Sequence, residues 1–300
     1  MDLRQLRYFL AVAEERNITA AAEYLAISQP ALSRQMHELE DKLGVQLFER
    51  GSRYVTLTPA GEFVRERAEE IIALAERTEL EVTSWDQPVA GPVYIGAAES
   101  DSMRIILRAA RNLQRLCPQT KFHIYSGDAE DLIPRLDSGL LDFALLFEPY
   151  DMSKYATCRL PVEDRWGVLM PRDCELARKD AVTADDVKPL PLIISRQTRF
   201  DDCLMRWVGA DERELHVVGT YNLVNNAALM VSEGLGYALC LDGIVGLPKD
   251  SDIVFRPLSP NLPAKMVMAW KPGRRFTKTA EHFLSAVKDY VTNKSGNEAQ

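Results

Sequence analysis

Residues 28–44 read SQPALSRQMHELEDKLG, and this stretch decides the first part of the fold. Ser28 suits a helix N-cap, and Pro30 falls in the first turn, where a missing N–H costs nothing. Gly44 suits a helix end. At 100° per residue, Leu32, Met36, Leu39 and Leu43 fall within about 60° of one another and predict a buried face. The opposite face carries Pro30, Arg34, His37 and Asp41, with Ser33 on its flank and Gln29 in the first turn. Gln, Ser, Arg and His side chains hydrogen-bond base edges in a DNA major groove, and Pro30 and Ala31 offer apolar contact to a thymine methyl. The helix N-terminus also favours a phosphate. On the helix alone, a solvated surface is an equally good reading, with Arg34 paired to Glu38 one turn on.

Upstream, a helix starts after Asp2 and carries an apolar stripe of Leu3, Leu6, Phe9, Leu10 and Ala13. Asn17 or Thr19 caps a second short helix with Ala21, Ala22 and Leu25, and a turn follows at Ala26-Ile27. Downstream come Val45–Phe48, a turn at Arg50-Gly51-Ser52-Arg53 and the strand-like Tyr54–Leu57. From Thr58-Pro59 the pattern predicts one long helix over 59–87, with neither Pro nor Gly between Glu62 and Gln87. Val64, Ala68, Ile71, Ala75, Thr78, Val82 and Trp85 alternate in spacings of four and three, a heptad seam. Such a seam fits pairing with a second copy; the alternative is a helix packed on its own domain.

After the break at Pro88–Pro92, strands alternate with helices, which means α/β. Strands are predicted at Val93–Ala97, Lys121–Tyr125, Asp142–Phe147, Trp166–Met170, Leu192–Ser195, Val217–Thr220, Tyr237–Leu241 and Met266–Trp270. Helices are predicted at Met103–Leu116, Leu132–Leu136, Phe200–Val208, Asn225–Glu233 and Thr279–Val291. The domains expected are therefore 1–58, 59–87 and 91–300, the last long enough for two lobes. Those lobes are about 91–162 with 267–292, and about 163–266.

The whole chain has 300 residues, 46% hydrophobic and 27% charged, which excludes a disordered or fibrous protein. No apolar run approaches the ~20 residues of a membrane span, and the N-terminus lacks a signal peptide's apolar core, so a cytoplasmic location is expected. The net charge of −8 is uneven. Residues 1–58 hold seven basic and eight acidic residues, and 59–87 hold three and eight, so any DNA contact rests on few, placed bases. Five widely spaced cysteines, Cys117, Cys158, Cys174, Cys203 and Cys240, fit reduced thiols and argue against disulfides or zinc. His37, His123, His216 and His282 are scattered. Neither a phosphate-cradling GxGxxG nor a GxSxG nucleophile elbow occurs, so no catalytic or metal residue is assigned and no enzyme is expected.

Residues 1–61 resemble the winged helix-turn-helix of LysR-type transcriptional regulators. The resemblance rests on Phe9, Val12, Glu15, Ile18-Thr19, Ala21-Ala22, Leu25 and Ser28-Gln29-Pro30-Ala31-Leu32-Ser33. It continues through Leu39-Glu40, Leu43-Gly44, Leu47-Phe48, Arg50, Leu57-Thr58 and Gly61. Residues 136–145 (LDSGLLDFAL) and 234–239 (GLGYAL) resemble two signature stretches of the family's effector-binding domain. The fold implied is an N-terminal winged helix-turn-helix, a long linker helix, and a C-terminal two-lobed α/β domain of the type-2 periplasmic-binding-protein kind.

The function implied is a sequence-specific DNA-binding regulator modulated by a small-molecule effector. The alternatives are a small-molecule-binding module or an enzyme on the same two-lobed fold, and neither needs residues 1–58. By resemblance, Ser28, Gln29, Pro30, Ala31, Ser33, Arg34 and His37 belong to the recognition helix, and Arg50 and Arg53 to the wing. The partners implied are double-stranded DNA with an imperfect palindrome, an effector of unknown identity, further copies of the chain as a dimer of dimers, and RNA polymerase. No cofactor is implied. The family's peroxide sensors use a cysteine pair in the second lobe. Here Cys203 has no near neighbour in sequence, and inert thiols are the better reading.

In open α/β sheets, ligands bind beyond the C-terminal strand ends. Those ends, with the resemblance, give Ser100, Asp128, Phe147, Ser195, Gln197, Thr198, Tyr221 and Asn222 as the expected effector contacts. Ser100 and Thr198 are the expected hydroxyls, one on each lobe. Ala98 and Ala129 stand where Ser or Thr is frequent in the family. Glu99, Asp101, Asp128 and Glu148 add carboxylates. If two or more face inward, a neutral or cationic effector fits better than an aromatic acid, an inference that Arg196 and Arg199 could reverse.

Overall fold

The spacing of apolar residues in the first 58 positions builds three helices around one small core. The computed structural model describes residues 1–50, 54–83, 91–148, 150–196, 202–210, 212–248 and 250–297, excluding the side chains of residues 50, 202, 212 and 293–297. The chain divides into two compact units, Met1–Ser84 and Trp85–Gln300.

In the N-terminal unit, α1 (Leu3–Glu15) is capped by Asp2, whose carboxylate accepts from the Gln5 N–H at 2.8 Å. α2 (Ile18–Tyr24) is capped by Asn17, which accepts from the N–H groups of Thr19 and Ala20. Ala26 then turns the chain in a left-handed conformation, φ 54°. α3 (Gln29–Leu43) ends at Gly44, φ 70°, a conformation that a glycine adopts without steric cost. Leu6, Phe9, Val12, Ala21, Leu32, Met36, Leu39 and Leu47 close the core. Leu43 does not join it. At the last turn of α3 its side chain is exposed, a correction to the four-residue face expected from periodicity.

The short strands β1 (Phe48–Arg50) and β2 (Val55–Leu57) pair antiparallel to form the wing. α4 (Pro59–Thr83) follows as one uninterrupted helix. Its first turns pack Ala60, Val64, Ala68 and Ile72 on the core. Ile71, Leu74, Leu80 and Val82 remain exposed. The heptad seam is thus split: its start serves its own unit and its later members face solvent, while Trp85 lies outside the described residues.

In the C-terminal unit, β3 (Pro92–Ala97) lies parallel to β4 (Lys121–Ser126) and to β5 (Phe143–Phe147). α5 (Met103–Leu116) and α10 (Lys278–Asn297) cover one face of these strands, and α6 (Ala129–Ser138) covers the other. Alternate residues along β5 serve the two faces: Phe143 and Leu145 meet α5 and α10, whereas Ala144 and Leu146 meet α6. This is why the strand reads as a continuous apolar run.

The second lobe repeats the scheme. β7 (Leu192–Ser195) runs parallel to β8 (Val217–Tyr221) and β9 (Tyr237–Leu241). α7 (Ala184–Val187) and α8 (Asp202–Val208) pack on one face, and α9 (Val224–Ser232) on the other.

Two long strands join the lobes. β6 (Ala156–Pro171) pairs antiparallel with β11 (Pro263–Trp270) from Trp270↔Ala156 to Pro263↔Arg165, with a register shift between Lys265 and Val267. β6 then continues into the second lobe against β9 and β10 (Ile253–Pro257). The sequence pattern gave only the Trp166–Met170 end of β6 and omitted β10. The first half of β6 carries Arg159, Glu163, Asp164 and Arg165 and shows no apolar alternation.

Candidate functional site

The outward face of α3 is built as its sequence predicts. Gln29, Pro30, Ala31, Arg34 and His37 are exposed, Ser33 is half-buried, and Ser28 sits exposed at the N-cap. Ser28 makes no side-chain cap bond, unlike Asp2 and Asn17 on the two preceding helices. Among the described residues Arg34 has no ion-pair partner. Glu38 instead accepts from Gln35 at 2.9 Å, so the surface pairing of Arg34 with Glu38 is absent. His37 Nδ1 stands 3.7 Å from the Glu40 carboxylate.

Glu40 has a role that the helix pattern does not reveal. Its Oε1 accepts from the N–H groups of Leu47 at 2.7 Å and Phe48 at 3.2 Å, which ties the start of the wing to α3. The hydroxyl of Thr58 donates to the Gln46 carbonyl at 2.8 Å and accepts from the Gly61 N–H at 3.0 Å. Gly61 is required by contact: a Cβ there would stand 2.1 Å from the Leu47 carbonyl oxygen. Arg53 and the Arg50 side chain, the expected wing contacts, lie outside the described residues.

Between the two lobes of the C-terminal unit lies a cavity of about 740 Å³. Asp128, Phe147, Ser195, Tyr221 and Asn222, all expected from strand ends, line it. Ala98 and Ala129 line it too, so these two positions bring no hydroxyl to its wall. Ser100 is not among the lining residues. Its hydroxyl donates to Asp164 Oδ2 at 2.6 Å and accepts from the Ser102 N–H at 2.9 Å. Gln197, Thr198 and Arg199 lie outside the described residues. Strand-end reasoning missed Tyr150, Trp166, Leu262 and Lys265, which come from the crossover strands and adjoining loops. The usable signal was the position of Trp166 and Pro263 at the crossovers.

Side chains from the two lobes meet across this cavity. Arg196, after β7, donates through Nε to Asp128 Oδ2 at 2.8 Å and through Nη2 to Asp131 Oδ2 at 3.0 Å. Asp128 is itself the N-cap of α6 in a reciprocal capping box with Asp131. Glu99, after β3, accepts the Val224 N–H at the start of α9 at 2.6 Å. The hydrogen bond to Asp128 raises the Arg196 guanidinium above its ordinary value. Burial raises Asp164 above the usual carboxylate range, although the hydroxyls of Ser100 and Ser102 donate to it. Burial also holds the Tyr221 phenol well above its ordinary value, and its hydroxyl donates to the Leu239 carbonyl.

The five cysteines are free thiols. Burial pushes Cys240 up to about 12, so it is inert near neutrality. Cys203 lines the cavity, with Arg206 Nη2 3.4 Å from its sulfur. Among the described residues no group of His, Cys, Asp and Glu is placed to hold a metal ion, and no helix is long and apolar enough to cross a membrane.

Residues 3–62 match the family described as "Bacterial regulatory helix-turn-helix protein, lysR family", and residues 86–292 match the "LysR substrate binding domain". The chain belongs to the LysR family of transcriptional regulators. It is 28% identical over 297 residues to the Hca operon transcriptional activator HcaR of Escherichia coli (strain K12), covering 98% of this chain and 99% of that protein. It is 37% identical over 146 residues to the HTH-type transcriptional regulator BsdA of Bacillus subtilis (strain 168), covering 48% of this chain and 50% of that one. Among solved structures, full-length CbnR complexed with its target DNA matches with a TM-score of 0.75 at 20% identity, covering 97% of this chain and 100% of CbnR, a likeness of fold.

As a LysR-family regulator, the chain combines a helix-turn-helix for DNA with an effector-binding substrate domain. The relatives named are regulators of transcription rather than enzymes.

Proposed function

We propose that the exposed face of α3 reads base edges in the major groove of an imperfect palindrome, and that the interlobe cavity receives the effector. The observation that carries the DNA reading is the exposed row Gln29, Pro30, Ala31, Arg34 and His37, in which Arg34 is held by no ion pair among the described residues. Ser28 and Ser33 flank the row and supply phosphate or base contacts. Arg50 and Arg53 on the wing contact the flanking backbone or minor groove. The protein acts in the cytoplasm.

Arg34→Ala tests this reading. It should cost about 1–3 kcal/mol on the specific site and relax preference at one base pair. Unchanged affinity and sequence preference in a binding-site selection would remove α3 from the readout.

The exposed apolar part of α4 supports pairing of two chains, and two such pairs make the proposed dimer of dimers, which engages RNA polymerase at its target. Ile71→Glu places a charge on the exposed stretch. Light scattering should then report a smaller assembly, and cooperative DNA binding should be lost. An intact oligomer would move the interface elsewhere.

The effector acts through the two crossover strands. Asp128, Phe147, Ser195, Tyr221 and Asn222 are its proposed contacts, together with Gln197 and Thr198. Ser100 acts through Asp164 on β6 rather than from the cavity wall. A ligand biases DNA binding only if it prefers one arrangement of the lobes, and a coupling of about 1–3 kcal/mol is enough to shift occupancy.

A further inference from the structure

We propose that the interlobe cavity selects an amphiphilic organic cation, a protonated amine on an apolar body. The inference rests on the reading of this cavity as the effector site and names the ligand class that the site takes.

The first argument is that most of the groups an anion would seek are already engaged by carboxylates of the protein, while Arg206 stands beside the Cys203 sulfur. Arg196 is held by Asp128 and Asp131 at 2.6–3.0 Å. The first N–H of α9, on Val224, takes Glu99 from the opposite lobe at 2.6 Å. The N-terminus of α6 is capped by Asp128. Lys265 stands 3.3 Å from Glu163. At Arg196 or at the Val224 N–H, an incoming carboxylate must therefore displace Asp128 or Glu99, both of which line the cavity. Such an exchange gains no new pair and adds like-charge repulsion.

A cation needs no such displacement, because a carboxylate that is already paired, as Glu148 is with Arg159 at 2.8 Å, keeps further acceptor sites. A carboxylate offers about four acceptor sites, and an ammonium brings three donors and no acceptor. Glu99, Asp128, Glu130 and Glu148 line the cavity, against Arg196, Arg206 and Lys265 among the described residues. Glu130 is exposed at the first turn of α6 and makes no ion pair among the described residues. The apolar part of the wall comes from both lobes and the crossovers and includes Phe147, Tyr150, Trp166 and Tyr221. Aromatic rings attract cations through their negative faces, and the attraction grows on desolvation. An aromatic-lined cavity whose described residues include one more carboxylate than cations therefore favours a positive head on an apolar body, and its volume lies within the usual range for small-molecule sites.

Three probes sharing one phenylbutyl body test this on the full-length protein: 4-phenylbutylammonium, 5-phenylpentanoate and 5-phenylpentanamide. Calorimetry should rank the cation about tenfold or more above the amide, with the carboxylate weakest. Raising the salt from about 0.05 to about 0.5 M should narrow the gap between cation and amide. Glu130→Gln, at an exposed position, should weaken the cation about threefold and leave the amide unchanged. Ala129→Phe, which fills the cavity, should abolish binding of whichever probe binds. If the carboxylate or amide binds as tightly as the cation and Ala129→Phe removes that binding, charge selection is overturned and the cavity remains a ligand site. Binding that survives Ala129→Phe, or no binding by any probe, overturns both the ligand class and its placement.

Discussion

The two units build their recognition surfaces by different means. The exposed row proposed to read DNA lies within residues 28–37, at the N-cap and on about two and a half turns of one helix, and exists as soon as that helix forms and docks. The cavity draws on residues from Ala98 to Lys265, at the ends of strands in two lobes and on the two crossovers between them. It exists only when every sheet register is set. A surface on one helix is fixed by local geometry, whereas a surface divided between two lobes can change shape when the lobes move. The first arrangement suits an invariant reader and the second suits a sensor. Substitutions that separate local from distributed construction put this contrast under test.

The largest effect is expected in the N-terminal unit, where α4 passes against the wing. Gly61→Ala would place a Cβ 2.1 Å from the carbonyl of Leu47, whose N–H is also held by Glu40. Backbone must shift, and such overpacking costs about 3 kcal/mol. Thermal unfolding should show a lowered transition for residues 1–83 and an unchanged one for the C-terminal unit. Loss of both transitions together would mean that the units do not unfold separately, and the contrast drawn here would fail.

The same contrast explains what could be read from the amino-acid sequence. Period 3.6 in residues 3–43 and continuous apolar runs in β3, β5, β7 and β9 are written in side-chain type, so the helices, most strands and the outward row on α3 were legible. The exceptions have physical causes. Leu43 matches the stripe but sits where the helix ends, so its turn has nothing to pack against. The first half of β6 is charged because it is a two-stranded crossover, half-exposed, and its strand character comes from pairing with β11. Ser100 was expected in the cavity wall from its strand-end position. The sequence could not show that Asp164, 64 residues away, would take its hydroxyl. Asp128 is an expected cavity contact and Arg196 follows the strand end at Ser195, but their pairing depends on the closeness of the two lobes.

A smaller effect is expected at that pairing. Arg196→Gln removes the ion pair from Asp128, which is 4% exposed, and from Asp131, while leaving the capping box of α6 in place. Because the Arg196 side chain is 43% exposed, solvent screens the pair, and a loss of about 1 kcal/mol is expected. Hydrogen exchange should therefore speed about fivefold at residues 128–132. Glu99→Gln should act instead on the Val224 amide, which donates to it across the cavity. Exchange unchanged at both places would show that these contacts do not hold the lobes together, and the C-terminal unit would be as rigid as the N-terminal one.

The smallest effect belongs to Asp164, where the crossover meets the loop after β3. Its Oδ2 accepts from the hydroxyls of Ser100 at 2.6 Å and Ser102 at 2.8 Å, and burial raises its protonation range. In the folded state the group therefore holds a proton at pH values where the unfolded chain, with an ordinary carboxyl near 3.8, has lost it. The native state binds more protons within that window, so the contribution of Asp164 to stability is present in acid and declines as pH rises through the folded value. Asp164→Asn removes this titration and keeps one acceptor oxygen, enough for two serine hydroxyls that donate to a single carboxylate oxygen. The difference in melting temperature, wild type minus Asp164→Asn, should be largest in acid, below the ordinary carboxyl value of 3.8, and fall as pH rises, by less than the shift expected for Gly61→Ala. A difference that grows with pH would mean that the serine hydroxyls outweigh burial and hold the carboxylate ionised. In that case the crossover would carry a fixed charge at its junction with Ser100 and no titratable one.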